Sequence, residues 1–281
     1  MVTGQNYMTQ QKTSNISKNI HNRLSVQVSL TGLSFLVKDL ITEKTLYFTE
    51  KDIGNSPTAE ELLLEIDTII IENDMLQSKF DEVVVLYSNN VYTAVPSSLF
   101  DETKASEYLK FNSKILSNDF IAFDQIESNN MVVVYIPYVN INNYFFDRFG
   151  SFQYYHAVSV FLMDLLHPTK HSLNTKMHLN VQKEQLDVLI LKEDKLLLCN
   201  SFLFKTSEDF IYYILFCLEQ LRLNPDTIPV ILSGSVEKED LNYKMLYRYI
   251  RNISFIENTT NTPNQSTTEV YHKNYLLKNA K

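Results

Sequence analysis

The sequence predicts an α/β protein of two lobes, each built on a β-β-β-α-β unit with a mixed sheet, and three observations predict it. Strand-like alternation precedes a long amphipathic helix pattern twice along the chain. Each helix opens on a capping box, Thr58 with Glu61 and Thr206 with Asp209. A shift of 151 residues then lays apolar on apolar through the strands: Val28 on Leu179, Leu30 on Val181, Phe35 on Leu186, Val37 on Val188, Leu46 on Leu197 and Phe48 on Cys199.

Residues 1–22 are rich in Gln, Asn, Ser and Thr, and read as a tail that cannot repay its ordering entropy. The first lobe takes residues 23–168. Leu24 to Leu30 alternates as a strand, Thr31-Gly32 turns the chain, and Phe35 to Ile41 and Thr45 to Phe48 continue as strands. Leu62, Ile66, Ile69, Ile70 and Leu76 line one face of the first helix, and Glu82 to Tyr87 reads as a buried strand. Beyond it, Glu102 to Phe111 is helical, Met131 to Ile136 is a strand, and Asn140 to Phe149 is an aromatic-rich helix stopped by Gly150. Phe152 to Tyr155 makes a short strand, and Ala157 to His167 an apolar helix, ended by Pro168, that is placed to cross to the second lobe.

The second lobe, residues 169–256, resumes the pattern near Met177. Its helix turns Ile211, Ile214, Leu215, Leu218 and Leu221 to one side, and Ile228 to Leu232 is its buried strand. Residues 257–281 open on Asn258-Thr259-Thr260-Asn261 and read as a second tail, although Tyr271 to Leu277 is apolar enough to dock.

Composition removes several functions. With 44% hydrophobic and 21% charged residues the chain is an ordinary globular one. Its apolar runs are far shorter than the roughly 20 residues that span a bilayer, so membrane insertion is not expected. The polar N-terminus has no signal-like apolar stretch, which makes the cytoplasm the expected location. A net charge of −8 argues against nucleic acid as partner, and Lys244, Arg248 and Arg251, at helical spacing, read as a solvated face. Cys199 and Cys217 sit in apolar segments without CxxC spacing and read as buried thiols. There are five glycines, so G-x-G-x-x-G and P-loop phosphate cradles, which need Gly where the backbone approaches the anion, are absent.

Two copies of β-β-β-α-β with a helix between them resemble the actin-like (ribonuclease H-like) fold shared by actin, Hsp70 chaperones and sugar kinases. The chain also resembles a small uncharacterised bacterial family assigned to that fold and, more distantly, pilus and secretion-system assembly scaffolds. In active members of that superfamily ATP lies between the lobes, held by two D-x-G turns and by a glycine pair that receives the adenosine. The resemblance implies a first turn at Gln27-Val28-Ser29, with Gln27 in the acid position, and a second at His178-Leu179-Asn180, with His178 there. Neither position holds an acid. The adenosine-side pattern survives in part as Ser233-Gly234-Ser235, after a buried strand and before a helix, with serine for the second glycine.

Phosphoryl transfer runs on positioning and charge neutralisation, and Mg²⁺ needs carboxylate oxygens near the phosphates. Gln27 is neutral and a poor magnesium ligand, and His178 suits softer metals. The expected protein is therefore a degenerate, non-hydrolysing actin-like module that binds another protein or a peptide. The alternative is a divergent ATP-binding protein or ATPase with nucleotide in the inter-lobe cleft. Candidate residues for a nucleotide or small anion are Thr31, Gly32, Ser233, Gly234 and Ser235, through backbone N–H groups, with Gln27 and His178 at the degenerate acid positions. If Gly234 is exposed and unpacked, Gly234→Val is expected to abolish that binding and leave the thermal midpoint nearly unchanged.

No catalytic residue and no resident metal are expected. Asp164, His167 and His171 lie near one another around a helix end, with His178 farther on, but Pro168 breaks the periodicity that would align them, and Ser233-Gly234-Ser235 lacks the G-x-S-x-G elbow of a nucleophile. The aromatic run Tyr144, Phe145, Phe146, Phe149, Phe152, Tyr154, Tyr155 reads first as lobe core and second as a partner groove.

Overall fold

Both capping boxes form as the sequence asks, and each starts a fourteen-residue helix. Thr58 accepts from Glu61 N–H at 3.2 Å while Glu61 accepts from Thr58 N–H at 2.7 Å, opening α1 (Ala59–Glu72). Thr206 and Asp209 do the same, both at 3.1 Å, for α5 (Ser207–Gln220). The structure, a computed structural model, describes residues 7–8, 21–54, 58–111, 113–116, 118–167, 174–193, 195–257 and 271–280. They divide into two compact units, residues 1–165 with 277–281, and residues 166–276.

In the first unit, strands β1 (Tyr7–Met8), β2 (Asn22–Ser29), β3 (Gly32–Asp39), β4 (Thr45–Asp52), β5 (Glu82–Ser88) and β9 (Phe152–His156) make one sheet in the order β1-β9-β5-β2-β3-β4. β2 and β5 are buried almost end to end, as central strands covered on both faces must be, while β4 at the edge is half exposed. Leu62, Ile66, Ile69 and Ile70 of α1 are buried. Between β5 and β9 the chain inserts β6 (Tyr92–Pro96), α2 (Ala105–Lys110), β7 (Ala122–Ile126) and β8 (Met131–Tyr135), whose strands form a separate three-stranded sheet. Then come α3 (Val139–Phe149), stopped by Gly150 at φ +80°, β9, and α4 (Ala157–Leu165).

The second unit carries the same core without that insert. Its sheet of β10 (Lys176–Val181), β11 (Gln185–Lys192), β12 (Lys195–Leu203), β13 (Pro229–Gly234) and β14 (Asn252–Phe255) runs β12-β11-β10-β13-β14, with α5 before β13 and α6 (Leu241–Tyr249) after it. β13 and β14 are parallel to β10, as β5 and β9 are to β2. Its core joins Leu179, Val188 and Leu232 to Phe210, Ile214 and Leu218 of α5.

Pairing corrects the alignment of the two copies. The first hairpin pairs Val28 with Leu33 and the second pairs Val181 with Leu186, so Val28 matches Val181 and not Leu179. A register break falls between Val37 and Lys38 in one copy and between Ile190 and Leu191 in the other, which is the same position under the corrected match. The residue equivalent to Gln27 is therefore Asn180, and His178 answers to Ser25. The shift of 151 residues holds only for the third strands, because the next connection is shorter in the second copy, where Leu191 pairs with Leu196 while Lys38 pairs with Thr45.

The tails are corrected too. Tyr7–Met8 pairs with β9, and β2 already begins at Asn22. At the other end Tyr271–Ala280 is part of the fold, for Tyr275, Leu276, Leu277 and Ala280 are all buried, and Tyr275–Asn279 forms α7. No helix among the described residues is long and apolar enough to cross a membrane.

Candidate functional site

At the turn between β2 and β3 the candidate anion donors are turned inward. Ser29 Oγ, buried at the end of β2, accepts from Gly32 N–H at 3.0 Å and Thr31 N–H at 3.3 Å, and donates to Gly32 O at 2.9 Å. One short side chain thus holds the whole turn, a common Ser motif where a strand reverses. A β-carbon on Gly32 would stand 3.2 Å from Lys51 O, so glycine fits here because the neighbouring strand passes close by. Gln27, two residues before Ser29 and so on the same face of β2, is half-buried.

The Ser233-Gly234-Ser235 loop is closed in the same sense. Ser233 Oγ donates to Leu179 O at 3.2 Å and lies 3.4 Å from Asn180 Oδ1; Gly234 N–H donates to His272 O at 2.9 Å; Ser235 N–H donates to Val181 O at 2.7 Å. Gly234 has φ +89°, and a β-carbon on it would lie 2.1 Å from Val181 O and 2.9 Å from Val181 N. The condition attached to Gly234→Val, an exposed and unpacked glycine, is therefore not met.

The register places a different acid here. Ser201, Asp187, Asn180 and Ser233 pair in a row across β12, β11, β10 and β13. Asp187 Oδ1 accepts from Ser201 Oγ at 2.6 Å and Gln185 Nε2 at 2.8 Å, and Oδ2 accepts from Asn180 Nδ2 at 2.9 Å. Burial pushes the Asp187 carboxyl above its usual range, and the hydrogen bonds from Ser201, Asn180, Gln185 and Gln182 oppose that shift. With both oxygens engaged by protein donors, the group as it stands is a sheet-spanning tie. Its signal in the sequence was an acid between Leu186 and Val188 inside an apolar strand, which a search for D-x-G turns passes over. Asp187→Ala strands the buried amides of Asn180 and Gln185 and the half-buried Ser201 hydroxyl and is expected to cost about 2–3 kcal/mol; a thermal midpoint unchanged by the substitution would contradict the tie.

Other candidates stay apart from these turns. His178 is buried in β10. Pro168 and His171 lie outside the described residues, and among the described residues no three His, Cys, Asp or Glu side chains gather as a metal-ligand group. None of the seven aromatic residues between Tyr144 and Tyr155 is exposed: Phe145 packs on Phe149 and Phe152 at ring distances of 5.8 and 6.0 Å, and Tyr144 donates to Asp67 at 2.8 Å. The run builds the interior of the first unit. Cys217 is buried, which raises its thiol to about 11.

The sequence profile of a family described as "Protein of unknown function (DUF3822)" matches residues 11–253. Among solved structures, a protein with actin-like ATPase fold and unknown function from Bacteroides thetaiotaomicron VPI-5482 is similar at a TM-score of 0.74 and 22% identity, over 84% of this chain and 91% of that one. A PilM-PilN type IV pilus biogenesis complex is similar at 0.53 and 13%, over 83% and 88%. No curated protein sequence matches significantly. The chain has the actin-like fold that its duplicated pattern led one to expect.

Proposed function

We propose that this chain, which belongs to the DUF3822 family of proteins of unknown function, is a non-hydrolysing actin-like module that serves as a scaffold for another protein or a peptide. The observation that carries this reading is the use made of the turn donors. The N–H groups of Thr31, Gly32, Gly234 and Ser235, which a phosphate would need, are all donated inside the protein. Gln27, Asn180 and His178 add no carboxylate, and Asp187 has both oxygens occupied.

A protein partner is supported by the insert, where Leu99, Phe111, Leu116 and Phe120 are exposed. It is supported at a distance by the pilus biogenesis complex, which is by its name an assembly of two proteins. Asp187 favours the second reading, a divergent ATP-binding protein or ATPase, because it is a buried acid in register with Ser233, one strand beyond Asn180.

Phosphate release from ATP with Mg²⁺ separates the two. The purified chain is expected to release none above buffer. Magnesium-dependent turnover lost on Asp187→Asn or Ser233→Ala would establish the second reading.

A further inference from the structure

The loop after β13 is covered by a segment of the chain that sequence composition assigns to a tail. Gly234 gives its N–H to His272 O, and His272 Nε2, facing a carbonyl and therefore protonated, donates to Val236 O at 2.9 Å. The imidazole lies 4.2 Å from the Phe255 ring, and Phe255 stacks in turn on Tyr243 of α6 at 5.8 Å and 7°. Next in sequence, Lys273 pairs with Glu237. One main-chain bond and one bond from the imidazole to a main-chain carbonyl hold the incoming segment, a ring fits a ring, and an acid meets a cation. That combination recurs where folded domains take up peptides.

The segment is also separable by composition from what precedes it. Residues 258–270, which join it to β14, contain Pro263 and Val270 and are otherwise polar, so they add little apolar surface to bury. The recognition belongs to His272 and Lys273 and not to the connection before them.

We infer that the surface formed by Gly234, Val236, Glu237 and Phe255 is a peptide-docking site, held in cis by the Tyr271–Leu276 segment through His272 and Lys273 and taken in trans by a partner peptide of the same chemistry. That peptide carries a carbonyl and a ring with an N–H donor at one residue and a cation at the next, as His272 and Lys273 do. The inference rests on the scaffold reading above and gives it a location. The Lys273–Glu237 pair is solvent-exposed on both sides, with 42% and 49% of the side chains accessible, so it sets direction more than affinity. The His272 contacts supply the affinity.

The test keeps the whole chain. A site for a specific protease replaces residues 261–267, the chain is cut there without removing either piece, and a labelled peptide of residues 271–281 is followed by fluorescence anisotropy. The cut protein is expected to take up the peptide, and the uncut one to bind at least about tenfold more weakly, because a tethered segment competes at roughly millimolar effective concentration. The peptide carrying His272→Ala should also bind at least about tenfold more weakly to the cut protein, a loss typical of an anchoring residue. A cut protein that keeps its thermal transition but takes up no peptide overturns the inference, as does equal binding to the uncut chain.

Should cutting unfold the protein, amide hydrogen exchange in the uncut His272→Ala chain decides. Gly234 N–H is expected to exchange faster while Ser235 N–H, held by Val181, keeps its protection; unchanged exchange at Gly234 overturns the inference. ATP turnover would remove the scaffold reading, whereas peptide uptake is scored independently of it.

Discussion

The Gly234→Val chain is expected to melt roughly 10 °C or more below the native chain. Two costs combine. The backbone at φ +89° is one that a β-branched residue rarely adopts, worth about 1–3 kcal/mol. The added β-carbon would lie 2.1 Å from Val181 O, and overpacking against fixed neighbours costs about 1–3 kcal/mol, more where the neighbour is backbone. Val181 cannot retreat cheaply, because it pairs with Leu186 on one side and Gly234 on the other, and its carbonyl accepts from Ser235 at 2.7 Å. About 4 kcal/mol or more in a protein of this size corresponds to that fall. Gly234→Ala should lose nearly as much, since the β-carbon itself is the offender. A midpoint within about 2 °C of native for either variant would show that the loop is open and unpacked.

Acid is expected to destabilise the protein through His156 well before the carboxylates titrate. The ring is fully buried between Tyr92 and Tyr135, at ring distances of 4.5 and 5.3 Å. Its Nε2 faces Asn89 O at 3.1 Å and must donate, while Nδ1 accepts from Val158 N–H at 3.3 Å. The His156 backbone N–H donates to Asp124 Oδ2 at 2.8 Å, and Asp124 Oδ1 accepts from Tyr135 at 3.1 Å. These bonds join β9 to the inserted sheet, and they fix the imidazole as neutral.

Burial, opposed weakly by the Asn89 carbonyl, lowers its pKa from 6.5 to about 3. A folded pKa below the unfolded one means that the unfolded chain binds the proton better. The stabilisation is complete above pH 6.5 and drains away as pH falls toward 3, by about 1.4 kcal/mol per unit and about 5 kcal/mol in all. Denaturant midpoints between pH 6.5 and 5 read this above the ordinary range of Asp and Glu. His156→Phe should flatten the slope in that window, and parallel slopes for the two proteins would contradict a neutral, buried His156.

Much of the fold was legible because the signals were local. Thr58 and Thr206 opened their helices where a hydroxyl three residues before an acid says they should. Alternation found the strands on either side of Gly32, and the apolar run from Glu82 to Tyr87 marked a buried one. It could not fix the alignment of the copies, because a two-residue slip keeps every side chain on its own face. Val28 therefore fits Leu179 as well as Val181 until the hairpin partners are known.

The site was less legible for related reasons. Ser29 and His272 act through hydrogen bonds to backbone groups, which leave no periodic trace. Asp187 sits where an apolar residue would satisfy the pattern equally, and only the partners Ser201, Gln185 and Asn180, brought by three strands, explain it. The segment from Tyr271 was read as a tail because the polar residues before it dominate its composition.

The most direct measurement of the central claim is calorimetric titration of the full chain with ATP, with and without Mg²⁺. With the turn amides of Thr31, Gly32, Gly234 and Ser235 already donated and both Asp187 oxygens engaged, no magnesium-dependent heat is expected up to millimolar nucleotide. Saturable binding that needs Mg²⁺ and disappears in Asp187→Asn would contradict the non-hydrolysing scaffold and put a working nucleotide site in its place.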